Sequence, residues 1–229
     1  MSYTAADITE LDDVQHTRLR PAVNLGLDVL NTALREIVDN AIEEVAVPEH
    51  GGSCVTITLH ADGSVSVADD GRGLPVDSDP VNGKNGIVKT LGTARAGGKF
   101  SEHTDAASTG AGLNGIGAAA GAPIPGRSAL AERRAGNTYL QSFGGGYPGV
   151  FDGKDFDPNA PFTRADTQKL RGTGNRKPDA HGTEVRILFD AAVVPDTRVD
   201  INEVLLRAHA AARMSPGVHL TVVDDGWPG

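Results

Sequence analysis

The chain has 229 residues, a formal net charge of −9 and a pI near 5.2. That length can form one large domain or two small ones with a sizeable core, and the acidity disfavours non-specific binding to nucleic acid or an anionic membrane. Cys54 is the only cysteine, which excludes an intrachain disulfide and a cysteine-built metal site and fits a reducing cytoplasm.

Residues 1–20 are polar and poorly periodic, so they read as an arm that ends at Pro21. Neither a basic-then-apolar leader nor a run of the ~18 apolar residues needed to span a bilayer is present, so a soluble, cytoplasmic α/β domain is expected over 21–229. Leu30, Leu34, Ile37, Val38, Ala41, Ile42 and Val45 recur at helical spacing until Pro48, which predicts a helix over roughly 25–46. Glu36, Asn40 and Glu43 share the face opposite that apolar stripe.

Val55, Ile57 and Leu59, then Val65 and Val67, alternate with polar residues around Ala61-Asp62-Gly63, which predicts a β-hairpin with Cys54 packed or half-buried at its start. A short helix follows near 85–94. The next stretch holds six glycines between Gly97 and Gly117 with Ser and Thr, and reads as a lid over about 95–117. Strands are expected over Tyr139–Phe143, Thr183–Phe189 and Val218–Asp224, and a helix over Asn202–Met214. Residues 144–182 read as a long excursion.

Three phrases carry chemistry. Glu36 and Asn40, four residues apart on one helix face, can place a water-activating base beside an amide oxygen suited to Mg²⁺; a plain solvated face has the same spacing. Asp69-Asp-Gly71-Arg-Gly73 follows a strand and sets a carboxylate at the base of a pocket, or simply makes a turn. Gly110-Ala-Gly112-Leu113-Asn114-Gly115-Ile116-Gly117 has the spaced glycines of a phosphate cradle, or of a linker, without the Gly-Lys-Ser/Thr of a Walker loop. The seven histidines lack ligand spacing, and no nucleophile-elbow sequence occurs.

In this order, and with Ala96-Gly-Gly-Lys99-Phe100 and Gly182-Thr183 added, these phrases resemble the GHKL, or Bergerat-fold, ATPases, and among them the N-terminal ATPase domains of bacterial DNA gyrase B and topoisomerase IV B proteins. The likeness spans roughly 18–190. It implies an α+β two-layer sandwich: a mixed, mainly antiparallel sheet with helices on one face, binding ATP and Mg²⁺. Carried over by position, Glu36 would be the general base and Asn40 the Mg²⁺ ligand. Asp69 would bind the adenine amino group, with Thr183 supporting it through water. Gly71 and Gly73 would shape the turn, with Ile37, Val67, Leu74 and Pro75 lining the adenine slot. Lys99, Gly112, Leu113, Asn114, Gly115, Ile116 and Gly117 would meet the phosphates, and Glu44 would pair with Arg72.

The resemblance also implies an ATP-operated dimerisation gate of a type IIA DNA topoisomerase. It would homodimerise on ATP, work with an A-type subunit or domain, and leave most DNA contacts to other regions. Another GHKL ATPase, MutL-like or chaperone-like, and a nucleotide-binding regulator without efficient turnover are the alternatives. Asn114 in place of the family's usual His, Ser108 in place of Lys, Leu140 in place of Arg, and the prolines at 123 and 125 point to a divergent paralogue. The chain ends soon after its last predicted strand, so the next domain's catalytic lysine is expected to be missing and turnover slow.

Overall fold

The computed structural model describes residues 10–91, 124–154, 156–157, 159–174, 179–195 and 199–228. Helix α1 (Asp13–Leu19) begins at a capping box: Asp12 accepts from the Gln15 amide at 2.8 Å, and the Gln15 side chain accepts from the Asp12 amide at 3.0 Å. Part of the expected arm is therefore helical. Arg18 pairs with Asp190, Tyr147 donates to Asp12 at 2.7 Å and Thr17 is buried, so this helix is anchored by polar contacts that leave no apolar stripe to read. Residues 1–9 of the arm lie outside the described residues.

The helix expected over roughly 25–46 begins at Val29, and a separate short helix precedes it. Helix α2 (Pro21–Leu25) has proline at its first position and stops at Gly26, whose φ of 74° ends the turn; α3 (Val29–Ala46) then runs to the break before Pro48. Strands β1 (Cys54–His60) and β2 (Val65–Asp69) form the expected hairpin, with Val55 opposite Asp69 and Ile57 opposite Val67. Val55, Ile57 and Leu59 supply the inward phase. Cys54 is in the other phase and is exposed, contrary to the packed or half-buried thiol expected.

Helix α4 (Gly86–Leu91) falls where a helix is expected near 85–94, and residues 92–94 lie outside the described residues. Next come β3 (Pro125–Arg134), β4 (Asn137–Gly144), β5 (Tyr147–Phe151), β6 (Phe162–Arg164), β7 (Thr173–Gly174), β8 (Gly182–Phe189), α5 (Ile201–Met214) and β9 (His219–Asp225). The sheet order is β6-β5-β4-β3-β8-β2-β1-β9, with β7 on β4. Among the described residues every pairing is antiparallel except β1 with β9. The 144–182 excursion thus contributes three strands, β5 to β7, at one side of the sheet. Strand β3, unmarked by alternation, lies in the middle of the sheet: its only large apolar side chain is Leu130, among Ser, Ala, Glu and Arg.

Helices α3 and α5 cover one face. Leu30, Leu34, Val38, Ile42 and Val45 of α3 pack with Val55, Ile57, Val67 and Ile187 of the sheet and with Val204 and Ala208 of α5. The Asn31 amide oxygen accepts from the Asp200 backbone at 3.0 Å, tying α3 to the N-cap of α5. A second cluster of Ile87, Val88, Leu130, Phe143 and Leu170 sits under α4. Register places Val67, Val185 and Leu130 in one cross-strand row, an apolar floor shared by both clusters. This is the two-layer α+β arrangement.

Candidate functional site

At one end of that floor the inward phase of three strands turns polar. Asp69 closes β2, Thr183 is the second residue of β8, and Glu132 lies opposite Thr183 near the end of β3. Asp69 Oδ1 accepts from the Gly71 amide at 2.9 Å and the Thr183 amide at 3.4 Å. Burial pushes the Asp69 carboxyl up to about 6; those two amides oppose the shift, while Glu44 and Asp70 add to it.

Close backbone approach requires glycine at two points. Gly182 has φ of 107°, and a Cβ there would overlap the Asp69 carbonyl, so Gly182-Thr183 is how β8 enters beside the carboxylate. Gly73 has φ of 76°, and a Cβ there would overlap Glu132 Oε1. The turn between them is braced from both sides. Asp70 Oδ1 accepts from the Ser53 and Cys54 amides, both at 2.7 Å. Glu44, on α3, accepts from the Arg72 amide at 3.1 Å and from its Nε and Nη2 at 3.2 Å, which is the expected Glu44–Arg72 pair.

Glu36 and Asn40 are half-buried one turn apart on α3, the helix that packs over β1 and β2. Val67 is buried in the floor, Ile37 packs against the same cluster, Leu74 packs against the cluster under α4, and Pro75 is exposed. Lys99 and Gly112, Leu113, Asn114, Gly115, Ile116 and Gly117 lie outside the described residues, as does the expected lid.

Glu132 was not legible as a site residue. It is 0% exposed; its Oε2 accepts from the Leu74 amide and the Thr183 hydroxyl, each at 3.0 Å, and its Oε1 has no hydrogen-bond partner among the described residues. Burial pushes its carboxyl up to about 7; Leu74 and Thr183 oppose the shift, and the Asp69 charge adds to it. The available signal was a carboxylate in the phase of Ser128 and Leu130, but without a strand assignment that phase meant nothing.

Among the described residues no group of three His, Cys, Asp or Glu side chains is placed to hold a metal ion. The donor chemistry does fit a hard cation that arrives already bound to phosphate: Asn40 offers an amide oxygen beside a carboxylate and need supply only one ligand. A wide hollow on the other face of the sheet, bordered by Ala129, Ala131, Leu140, Phe156, Arg171 and Arg186, includes none of the expected site residues.

Residues 27–147 match the family described as histidine kinase-, DNA gyrase B- and HSP90-like ATPase. The chain is 82% identical over 229 residues to the topoisomerase subunit TopoN of Mycolicibacterium smegmatis, covering all of this chain and 33% of that protein. It is 30% identical over 226 residues to the DNA gyrase B protein of Micrococcus luteus, covering 97% of this chain and 28% of that protein. The chain therefore spans about a third of the length of such relatives. A solved ATP-binding domain of topoisomerase IV from Francisella tularensis, in complex with a small-molecule inhibitor, shares the fold. Its TM-score is 0.70 at 23% identity, over 93% of this chain and 90% of that one. With a family match over residues 27–147, more than half of its length, the chain belongs to the histidine kinase-, DNA gyrase B- and HSP90-like ATPases.

Proposed function

We propose that this chain is the ATP-binding and ATP-hydrolysing part of a B-type subunit of a type IIA DNA topoisomerase. The observation that carries the reading is Asp69: a half-buried carboxylate at the end of β2, engaged among the described residues through Oδ1 by the Gly71 and Thr183 amides. Its other oxygen is left to accept from a base amino group. The 82% identity to a topoisomerase subunit over the whole chain supports the wider role.

In this reading Glu36 takes the proton from the attacking water, and Asn40 offers its amide oxygen to Mg²⁺. Ile37, Val67, Leu74 and Pro75, with Gly71 and Gly73, form the slot for the adenine ring. Lys99 and Gly112, Leu113, Asn114, Gly115, Ile116 and Gly117 receive the phosphates. When bound, Mg²⁺ would neutralise charge on the phosphate oxygens. The whole protein would use ATP binding to close a dimerisation gate in the cytoplasm, with an A-type partner and with DNA held mainly elsewhere.

The test is a titration with ATP and a non-hydrolysable analogue, with and without Mg²⁺, on the wild type, Asp69→Asn and Glu36→Ala. Expected are loss of binding for the first variant and binding without hydrolysis for the second. Unchanged ATP affinity in Asp69→Asn would overturn the pocket assignment.

A further inference from the structure

The face of the sheet turned away from α3 and α5 has a floor of small side chains. Ala129 and Ala131 of β3 alternate with the inward Leu130 and Glu132. Register sets Ala129 between Ser142 of β4 and Arg186 of β8, and Ala131 between Leu140 and Glu184. Residues that follow β5 and residues that precede β7 border this floor, and the hollow they make holds about 1660 Å³. A small-molecule pocket takes about 300–1,000 Å³, so the hollow is sized for a length of chain. Its charges are unevenly satisfied. Arg186 donates to Ser64 and Asp62, each at 2.7 Å, and lies 4.3 Å from the Phe156 ring centre. Glu184 pairs with Arg133 at 3.5 Å, and Asp157 accepts from the Asn159 amide at 2.9 Å. Lys154, Lys169 and Arg171 are exposed and have no side-chain hydrogen bond or ion pair among the described residues. On a chain of net charge −9 they form a local basic rim, and beside it Leu140 and Val150 are 50% and 46% exposed.

We propose that this hollow docks an extended, acidic peptide segment of a partner protein. Carboxylates of the segment meet Lys154, Lys169 and Arg171, and its alternate, apolar side chains lie on the Ala129–Ala131 floor beside Leu140 and Val150. An extended chain sends successive side chains to opposite faces, so one segment meets both demands. Charge complementarity selects an anion, and the floor selects which kind. A nucleic acid would need open aromatic faces for its bases. Phe156 has one face taken by Arg186, and Phe151 is buried against Arg127 and Phe162. The acidic chain also repels a phosphate at every nucleotide, whereas a peptide charged at alternate positions gains apolar contact between its charges.

The experiment follows, by fluorescence anisotropy, a labelled peptide of three Glu-Ala-Glu-Leu repeats added to the wild-type chain and to variants. These are Lys154→Glu, Leu140→Asp, and Lys169→Glu combined with Arg171→Glu, with thermal denaturation of each as a check on folding. Controls are the same peptide with lysine for glutamate, a peptide of equal composition with its glutamates grouped at one end, and an oligothymidylate of equal length. The alternating acidic peptide should bind saturably and more tightly than every control. The double reversal should weaken it by about 10-fold or more, because two attractive pairs become repulsive, and Lys154→Glu and Leu140→Asp should each weaken it too. Lys169→Arg combined with Arg171→Lys, which keeps both charges, should bind like the wild type. The proposal fails if the acidic peptide does not bind, or binds every variant alike. It fails equally if the oligothymidylate binds more tightly and is lost in the same variants, which would make the hollow a nucleic-acid site. A dimer in sedimentation that the reversals dissociate would also sink it, since a second copy of the chain would then cover this face.

Discussion

A carboxyl group that folding removes from water titrates late, and at this site two do so side by side. Asp69 is raised from 3.8 to about 6 and Glu132 from 4.5 to about 7, both through burial first. Between the unfolded and folded values the native state binds more protons than the unfolded state, so these groups favour folding at low pH and oppose it as pH rises through 6 to 7. Asp12, Asp62 and Asp190 are held below their ordinary value by hydrogen bonds and arginines, and their contribution is lost only as pH falls below about 4. The urea midpoint of the nucleotide-free chain is therefore expected to rise between pH 8 and pH 5, and Glu132→Leu should flatten that slope. Nucleotide affinity should move the other way. In the proposed pocket ionised Asp69 is the acceptor, so binding measured by titration should weaken as pH drops below 6. Gly73→Ala combines the positive φ of 76° with overlap on Glu132. Its expected cost is about 1–3 kcal/mol in chemical denaturation.

At the scale of elements, the helical layer that carries Glu36 and Asn40 is held to the sheet by the apolar face of α3. Leu34, at the middle of α3, is 0% exposed and packed among sheet and helix side chains, so Leu34→Ala should destabilise by about 2–5 kcal/mol in urea denaturation. The far end of that layer depends on a cap. Asp200 accepts from the Asn202 and Glu203 amides at 3.1 and 3.2 Å, while its own amide donates to Asn31 of α3. Asp200→Ala should cost about 1 kcal/mol by thermal denaturation, with little change in nucleotide affinity because α5 carries no site residue.

For the whole molecule, the sheet grows outward from the site toward an edge that the sequence conceals. Strands β5 to β7 are built from Tyr147-Pro-Gly-Val-Phe151, Phe162-Thr-Arg164 and Thr173-Gly174, too short and too mixed to alternate over several residues. Cation–π contacts hold that edge, with Arg127 4.4 Å from the Phe151 ring centre and Arg164 4.1 Å from that of Tyr147. Helix α1 is joined to the same region through Asp12 and Tyr147, and to the end of β8 through Arg18 and Asp190. Arg18→Ala should speed hydrogen exchange over residues 13–19 while shifting global stability by less than about 1 kcal/mol, since a partly exposed pair contributes little.

By itself the sequence determined α3 with its Glu36–Asn40 face, the β1–β2 hairpin ending in Asp69, and most of β4, β8, α5 and β9. Each is written in local periodicity, and a period of 3.6 or 2 needs no knowledge of distant residues. Motif order placed Asp69 with Gly182 and Thr183 before any contact was known. Tertiary structure alone decided what Thr183 does with its hydroxyl. Its partner, Glu132, is 51 residues away on a strand with one large apolar side chain, and the pairing comes from the β3–β8 register, with Glu132 opposite Thr183. Register is set by the packing of whole faces rather than by neighbours along the chain, so the acid beside the site stays silent until the sheet is assembled.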